Sequence, residues 1–188
     1  VDELAALGAD ARFLRADFAD TDAVAGLAER VRAETDGLDL LINNAGGLFR
    51  TDRLTDAGVE YTFAVNHLAP YLLTSRLLGL LRDGARIVTT ASAAHRGASL
   101  DLDRVTEADG GLWAYNHSKL ANVLFAAELG RRLDADGRAV SSHSVHPGAI
   151  PGSGFARFLP APIPRLLRSL DRLPGATSVA AGAARLRF

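Results

Sequence analysis

The chain has no cysteine and no methionine among its 188 residues. Without Cys there is no disulfide, no thiolate zinc site and no thiol nucleophile. That agrees with a reducing compartment, and a cytoplasmic location is the expectation. No apolar run reaches the roughly 18–20 residues of a membrane span; the longest helical candidate is interrupted by His67, Pro70 and Arg76. Acidic and basic residues nearly cancel at a net charge of −1, so nothing points to a nucleic acid or an acidic polymer as partner. What is present is a 48% hydrophobic composition over a length that suits one domain. With Val1 first and no Met, the chain is expected to be a piece of a longer product. It begins in a helix end that Gly8 closes.

Strand and helix signals alternate along the chain. Residues 11–16 (ARFLRA) read as a short strand with Asp17 at its end. Asp20 or Thr21 can cap a helix to about Glu34, with Val24, Leu27, Ala28 and Val31 at helical spacing. Residues 38–42 form a compact apolar strand that ends in Asn43-Asn44-Ala45-Gly46-Gly47. Small polar residues and glycine at a strand's carboxyl end let backbone approach a ligand, and they also serve as ordinary turn residues. A helical segment is expected from Thr55 to about Leu81, with Pro70 inside it. A proline ring removes the hydrogen bond to the carbonyl four residues earlier, so Asn66 should carry a free C=O at a kink. Residues 86–90 (RIVTT) read as a buried strand that delivers Ser92, and residues 139–145 read as another that delivers His146-Pro147-Gly148. Beyond it, a proline-punctuated stretch at about 151–175 reads as a segment covering a site. A last Ala-rich helix follows over 177–185. Four strand–helix alternations indicate an α/β fold with a doubly wound parallel sheet, right-handed crossovers placing successive helices on its two faces.

The most informative stretch is Tyr115-Asn116-His117-Ser118-Lys119. Tyr and Lys four apart share one helix face, and residues 120–127 are apolar on nearly every side. A nearby cation favours the phenolate and lowers the Tyr pKa, so such a Tyr can give or take a proton near neutral pH. The bland alternative is a buried Tyr beside a surface Lys. His95, His117 and His146 read as packing or hydrogen-bonding residues, so no metal site is expected.

These pieces in this order resemble the short-chain dehydrogenase/reductase family, and within it the retinol-dehydrogenase-like subgroup. The carriers are Asp17, Asn43-Asn44-Ala45-Gly46, Val65-Asn66-His67-Leu68, Ser92, Ala94-His95, Tyr115 with the 117–125 stretch, and Val145-His146-Pro147-Gly148. The resemblance implies a Rossmann-like dinucleotide-binding and catalytic domain over 1–188, incomplete because the first βαβ unit is missing. It implies a hydride transfer between NADP or NAD, NADP favoured from the subgroup, and a small alcohol or carbonyl substrate. Tyr115 would be the general acid/base. Lys119 would lower its pKa and hold the nicotinamide ribose, and Ser92 would orient the substrate oxygen. Asn66 would hold a relay water through its carbonyl. Asp17 would meet the adenine end, while Asn43, Asn44, Ala45, Gly46, Pro147, Gly148 and Ile150 would line the cofactor. The helices bearing Asn66 and Tyr115 would build a homo-oligomer.

The family's glycine-rich phosphate loop is absent from these residues. Gly148, Gly152 and Gly154 fit the spacing G-x-x-x-G-x-G, but they follow the last strand and overlap the later Pro147-Gly148 motif. Gly152 stands where the family usually has Thr or Ser. This stretch alone is therefore expected to bind dinucleotide poorly and to be inactive. Strands 38–42, 86–90 and 139–145 are expected to stay contiguous, while 11–16 either detaches or pairs wrongly. The alternatives are a catalytically incompetent interaction module and, third, a nucleotide-sugar epimerase or dehydratase, which uses a similar Tyr/Lys pair.

Overall fold

A computed structural model describes residues 2–49, 52–108, 110–148, 150, 162 and 177–186. The first helix, α1 (Asp2–Ala6), ends as expected at Gly8, whose φ of +78° lets its N–H reach the Ala5 carbonyl at 2.9 Å. Helix α2 (Thr21–Glu34) starts where the Asp20 carboxylate accepts from the N–H groups of Asp22 and Ala23, at 2.8 and 3.2 Å.

Three strands, β1 (Leu38–Asn43), β2 (Leu81–Thr90) and β3 (Ser141–Val145), pair in parallel in the order β1-β2-β3. This is the contiguous α/β sheet expected from the pattern. Strand β2 begins earlier than expected, at Leu81, where a register irregularity opposite Leu38 and Leu40 and Gly84 at φ +83° bend the pairing. Residues 11–16 are not a strand. They lie off the sheet, and Leu14, Ala16 and Phe18 pack on the cluster of Val24, Leu27, Ala28, Ala69, Leu73 and Leu77. Apolar burial against α2 retains the segment although it has no ladder partner.

The helical segment does not open at Thr55. Residues 54–60 instead close a tight turn: Thr55 N–H donates to Val59 O at 2.8 Å, Gly58 sits at φ +74°, and Leu54 bridges Glu60. Helix α3 (Tyr61–Phe63) starts only after Glu60, whose buried carboxylate accepts from Phe63 N–H at 2.7 Å. A π-helical turn, Ala64–Leu68, then leads into α4 (Ala69–Leu77). Pro70 cannot donate to Asn66, and Ala69 N–H reaches back five residues to Ala64 O. The kink expected at Asn66 takes this form.

Helix α5 (Leu112–Ala135) follows Gly111 at φ +84°. Its C-terminal turn bonds Gly137 N–H to Asp134 O and Arg138 N–H to Leu133 O. Leu133 packs with Leu81, Ala85, Ile87 and Val140 over β2 and β3. Because strand order rises steadily along the chain, right-handed crossovers put α4 and α5 on the same face rather than alternating. The side-chain contacts between the π turn and α5 described below require this. Leu40 and Ile42, 42% and 41% exposed, alternate with Leu41 and Asn43 and stand on the opposite face of β1. A short helix, α6 (Val179–Ala184), closes the described chain. The 151–175 segment expected to cover the site lies, apart from Pro162, outside the described residues.

Candidate active site

All three strands end toward one cavity of about 560 Å³. Asn44 and Gly46 enter it after β1, Thr90 and Ser92 at the end of β2, and His146, Pro147, Gly148 and Ile150 after β3. Tyr115 and Lys119 enter it from α5. Open parallel sheets bind ligands at this edge. Among the expected site residues, the fold therefore gathers Asn44, Gly46, Ser92, Tyr115, Lys119, Pro147, Gly148 and Ile150.

It places four others elsewhere. Asn43 is 7% exposed and donates from Nδ2 to Thr74 Oγ1 at 2.8 Å and more weakly toward Thr89 Oγ1 at 3.4 Å, tying β1 to α4 and β2. Ala45 is exposed and does not line the cavity. Asp17 is also exposed; its carboxylate accepts from Ala19 N–H at 2.9 Å in the turn before α2. Asn66, 1% exposed, lies behind the cavity wall.

Asn66 works through its whole amide. Oδ1 accepts from Gly47 N–H at 3.0 Å, and Nδ2 donates to Gly47 O at 3.0 Å and to Ser118 Oγ at 3.1 Å. This amide pairing imitates one rung of a ladder and fixes the loop after β1 against the π turn. It also requires glycine at 46: a Cβ there would stand 2.7 Å from Asn66 Oδ1 and 3.7 Å from Lys119 Nζ. The Asn66 carbonyl is not left open, because Asn122 Nδ2 donates to it at 3.1 Å.

Ser92 is both a cap and a partner. Its Oγ accepts from Ala94 N–H at 3.2 Å, starting the 3₁₀ turn Ala93–Gly97, and its side chain lines the cavity beside the Tyr115 phenol, near enough to oppose the rise in the Tyr115 pKa. The Ser hydroxyl and the phenol therefore lie on one side of the sheet. Lys119 is 4% exposed and points inward: Nζ donates to Thr90 O at 3.0 Å and stands 5.7 Å from the Tyr115 ring centre.

The electrostatics differ from the expectation that Lys119 lowers the Tyr115 pKa. Burial of Tyr115 dominates and raises its pKa from 10.0, opposed by the Ser92 hydroxyl. Burial also pushes Lys119 down from its ordinary 10.5 to about 8. Taking an ammonium and a phenolate out of water penalises both charged forms. At neutral pH Tyr115 is thus a phenol, ready to donate, and Lys119 is mostly protonated.

Several residues of this network were not singled out as site residues from sequence. Gly47, Thr90, Ser118 and Asn122 supply its backbone and amide partners, while Gly182, Ala183 and Leu186 near α6 line the cavity. Asn122 had a signal: it lies three residues after Lys119, on the same face of α5. The α6 residues had none, since only the tertiary fold brings them to this edge.

Residues 1–159 match the family described as short chain dehydrogenase. The chain is 42% identical over 141 residues to retinol dehydrogenase 12 of Bos taurus, covering 71% of this chain and 43% of that protein. It is 38% identical over 164 residues to dehydrogenase/reductase SDR family member 13 of Bos taurus, covering 84% and 42%. It thus spans a little under half the length of these relatives. A solved short chain dehydrogenase from Burkholderia cenocepacia J2315, in complex with NADP, superposes with a TM-score of 0.63 at 33% identity, covering 80% of this chain and 58% of that one.

Proposed function

The chain belongs to the short-chain dehydrogenase family, and from that membership we propose that its parent protein is an oxidoreductase. It would exchange a hydride between a nicotinamide cofactor and an alcohol or carbonyl, with Tyr115 as the general acid/base. The observation that carries this reading is the convergence in one cavity of the Ser92 hydroxyl, the Tyr115 phenol and the buried Lys119 ammonium. A buried interaction module would have no need of a cation nine-tenths out of water beside a phenol.

The residues present suit the nicotinamide half of the cofactor. No acidic side chain lines the cavity among the described residues, Gly46 and Gly47 line it without side chains, and Lys119 supplies hydrogen-bond donors. Lys119, Asn44, Gly46 and the Pro147-Gly148 backbone are the groups to hold the ribose and ring. The bound cofactor supplies the hydride donor or acceptor. Ser92 then holds the substrate oxygen beside the Tyr115 hydroxyl. In the reducing direction Tyr115 delivers its proton to that oxygen as negative charge develops there. The phenol is protonated at neutral pH, as the acid role in reduction requires, while burial makes it a weaker acid than an exposed Tyr. Lys119 keeps a positive charge 5.7 Å from the centre of the ring that loses the proton. In the oxidising direction the proton moves back. NADP is proposed over NAD; the retinol-dehydrogenase relatives support a small, largely apolar substrate.

Tyr115→Phe in the protein at its natural length is the test. It should lower kcat for carbonyl reduction by roughly a hundredfold or more, the scale of losing an acid/base group, while cofactor binding persists. Activity retained at more than about half in Tyr115→Phe would remove the acid/base role. We also propose a second copy of the chain as partner: Tyr71 on α4 and Leu124 on α5, 47% and 45% exposed, flank a groove of about 480 Å³ whose far end carries Glu128, Arg132, Asp136 and Arg138. Sedimentation velocity decides between monomer and dimer.

A further inference from the structure

We propose that Asn122, itself held by His67, is a positioning residue that sets the acceptor of the Lys119 ammonium and anchors the Ser92-bearing end of β2. This rests on the reading of Ser92, Tyr115 and Lys119 as the reacting set. Asn122 is 2% exposed and makes three hydrogen bonds, two to the π turn and one to the end of β2. Nδ2 donates to Asn66 O in the π turn at 3.1 Å and to Thr90 O at the end of β2 at 3.2 Å. Oδ1 meets His67 Nδ1 at 2.9 Å.

Chemistry dictates the sense of each bond. Backbone carbonyls only accept, so the NH₂ of Asn122 must face Asn66 and Thr90, with one hydrogen for each. Its oxygen must then face His67. The nearby His67 nitrogen therefore carries a hydrogen and donates, which assigns neutral His67 to the Nδ1–H tautomer. The reversed amide would set Oδ1 against two carbonyl oxygens, taking the Asn122 donor from Asn66 O and leaving Thr90 O with Lys119 alone.

Two consequences follow for the site. The Thr90 carbonyl receives both Asn122 Nδ2 and Lys119 Nζ, so Asn122 holds from one side the oxygen that orients the ammonium from the other. Ser92 lies two residues beyond Thr90, so the same contact steadies the hydroxyl that meets Tyr115. The Asn66 carbonyl, to which Pro70 cannot donate, takes the second hydrogen. One amide thus joins the π turn, β2 and α5. His67 sits among the rings of Phe63, Tyr71 and Phe125, with centroids 5.0–6.4 Å apart, which hold its imidazole in plane for the Asn122 oxygen.

The direct test is ¹⁵N NMR of the histidine side chains, which separates Nδ1–H from Nε2–H without turnover. His67 is expected as Nδ1–H, and Asn122→Ala is expected to abolish that preference. An Nε2–H His67 in the native protein would overturn the proposal. The kinetic arm uses Asn122→Ala and His67→Leu in the protein at its natural length. Each should lower kcat roughly ten- to a hundredfold, the scale of a small misplacement at a reacting group, with the cofactor KM little changed. His67→Asn, whose Nδ2–H lies near the position of Nδ1–H, should restore most of the loss; His67→Gln should not. Leu at 67 keeps the ring cluster apolar, and a far-UV CD melt confirms folding. Full kcat in His67→Leu, or no recovery in His67→Asn, refutes the positioning role. If even the native protein reduces no carbonyl, the functional reading fails, and the His67 tautomer still decides whether this clamp exists.

Discussion

Burying Lys119 should make folding of this protein easier at alkaline pH, by an amount that one substitution removes. Lys119 is the only lysine in the chain, so its titration is isolated from all other side-chain ammonium groups. In the unfolded chain it holds its proton up to the ordinary 10.5; in the folded protein it sheds that proton near 8. Between these values the unfolded state binds more protons, so raising the pH favours the folded state. At about 1.4 kcal/mol per pH unit, the drop from 10.5 to about 8 corresponds to about 3 kcal/mol in all. The penalty is fully present below pH 8 and fades as pH rises toward 10.5. Tyr115 acts in the other direction, but only above pH 10, where its raised pKa keeps the folded phenol protonated after the unfolded one ionises. The window from pH 7 to 10 therefore belongs to Lys119. Urea unfolding of the wild type and Lys119→Met across that window should show their stability difference moving by about 2–3 kcal/mol in favour of the wild type. That is a relative shift in midpoint of about 1 M for an m-value of 2–3 kcal/mol/M. A ¹⁵N-lysine titration reports the same pKa from a single resonance. A stability difference flat within about 0.5 kcal/mol over the window, or a Lys119 midpoint near 10.5, would show that the ammonium is solvated and refute the burial account.

Other substitutions separate ties from chemistry. Gly46→Ala drives a methyl to 2.7 Å from Asn66 Oδ1, so it should cost about 1–3 kcal/mol in urea unfolding and weaken cofactor binding measured by fluorescence. Asn43→Ala leaves buried Thr74 without its donor and should cost about 1–3 kcal/mol, yet change the cofactor dissociation constant little, because the side chain faces α4. The value of kcat/KM for the cofactor, which reports the free enzyme, should turn down near pH 8, where Lys119 loses its proton, rather than at or above 10. Glu128 is held near pKa 2 by Arg131 and Arg132, but all three are on the surface. Glu128→Gln should leave the urea midpoint unchanged at 0.15 M salt.

Local chemistry was enough to read several features directly from the residues. Asp20 caps α2, Gly8 ends α1, Pro70 disrupts the helix at Asn66, and three strands form one parallel sheet. Each depends on interactions within a few residues or on an alternation the sequence carries. The Tyr115/Lys119 pair was legible for the same reason, since four residues on a helix fix a shared face. What depends on distant partners was not legible. The helix start moved from Thr55 to Tyr61 because residues 54–60 close on themselves and Glu60 serves as the cap. Residues 11–16 have no ladder partner, and only Leu14 and Ala16 among them pack on the core while Phe13 is exposed. Asn43 faces α4 rather than the cavity, because the strand's alternation turns it toward the helices.

The sequence by itself determined which groups are available: one phenol and one ammonium a helical turn apart, a hydroxyl after a strand, and amides at the strand ends. Only the tertiary structure decided how those groups titrate and which way they point. Protonation energies depend on how much water each group has lost, and that is known only after three strands and a helix close around them. Burial therefore raised Tyr115 and lowered Lys119, where the spacing alone suggested a lowered Tyr115.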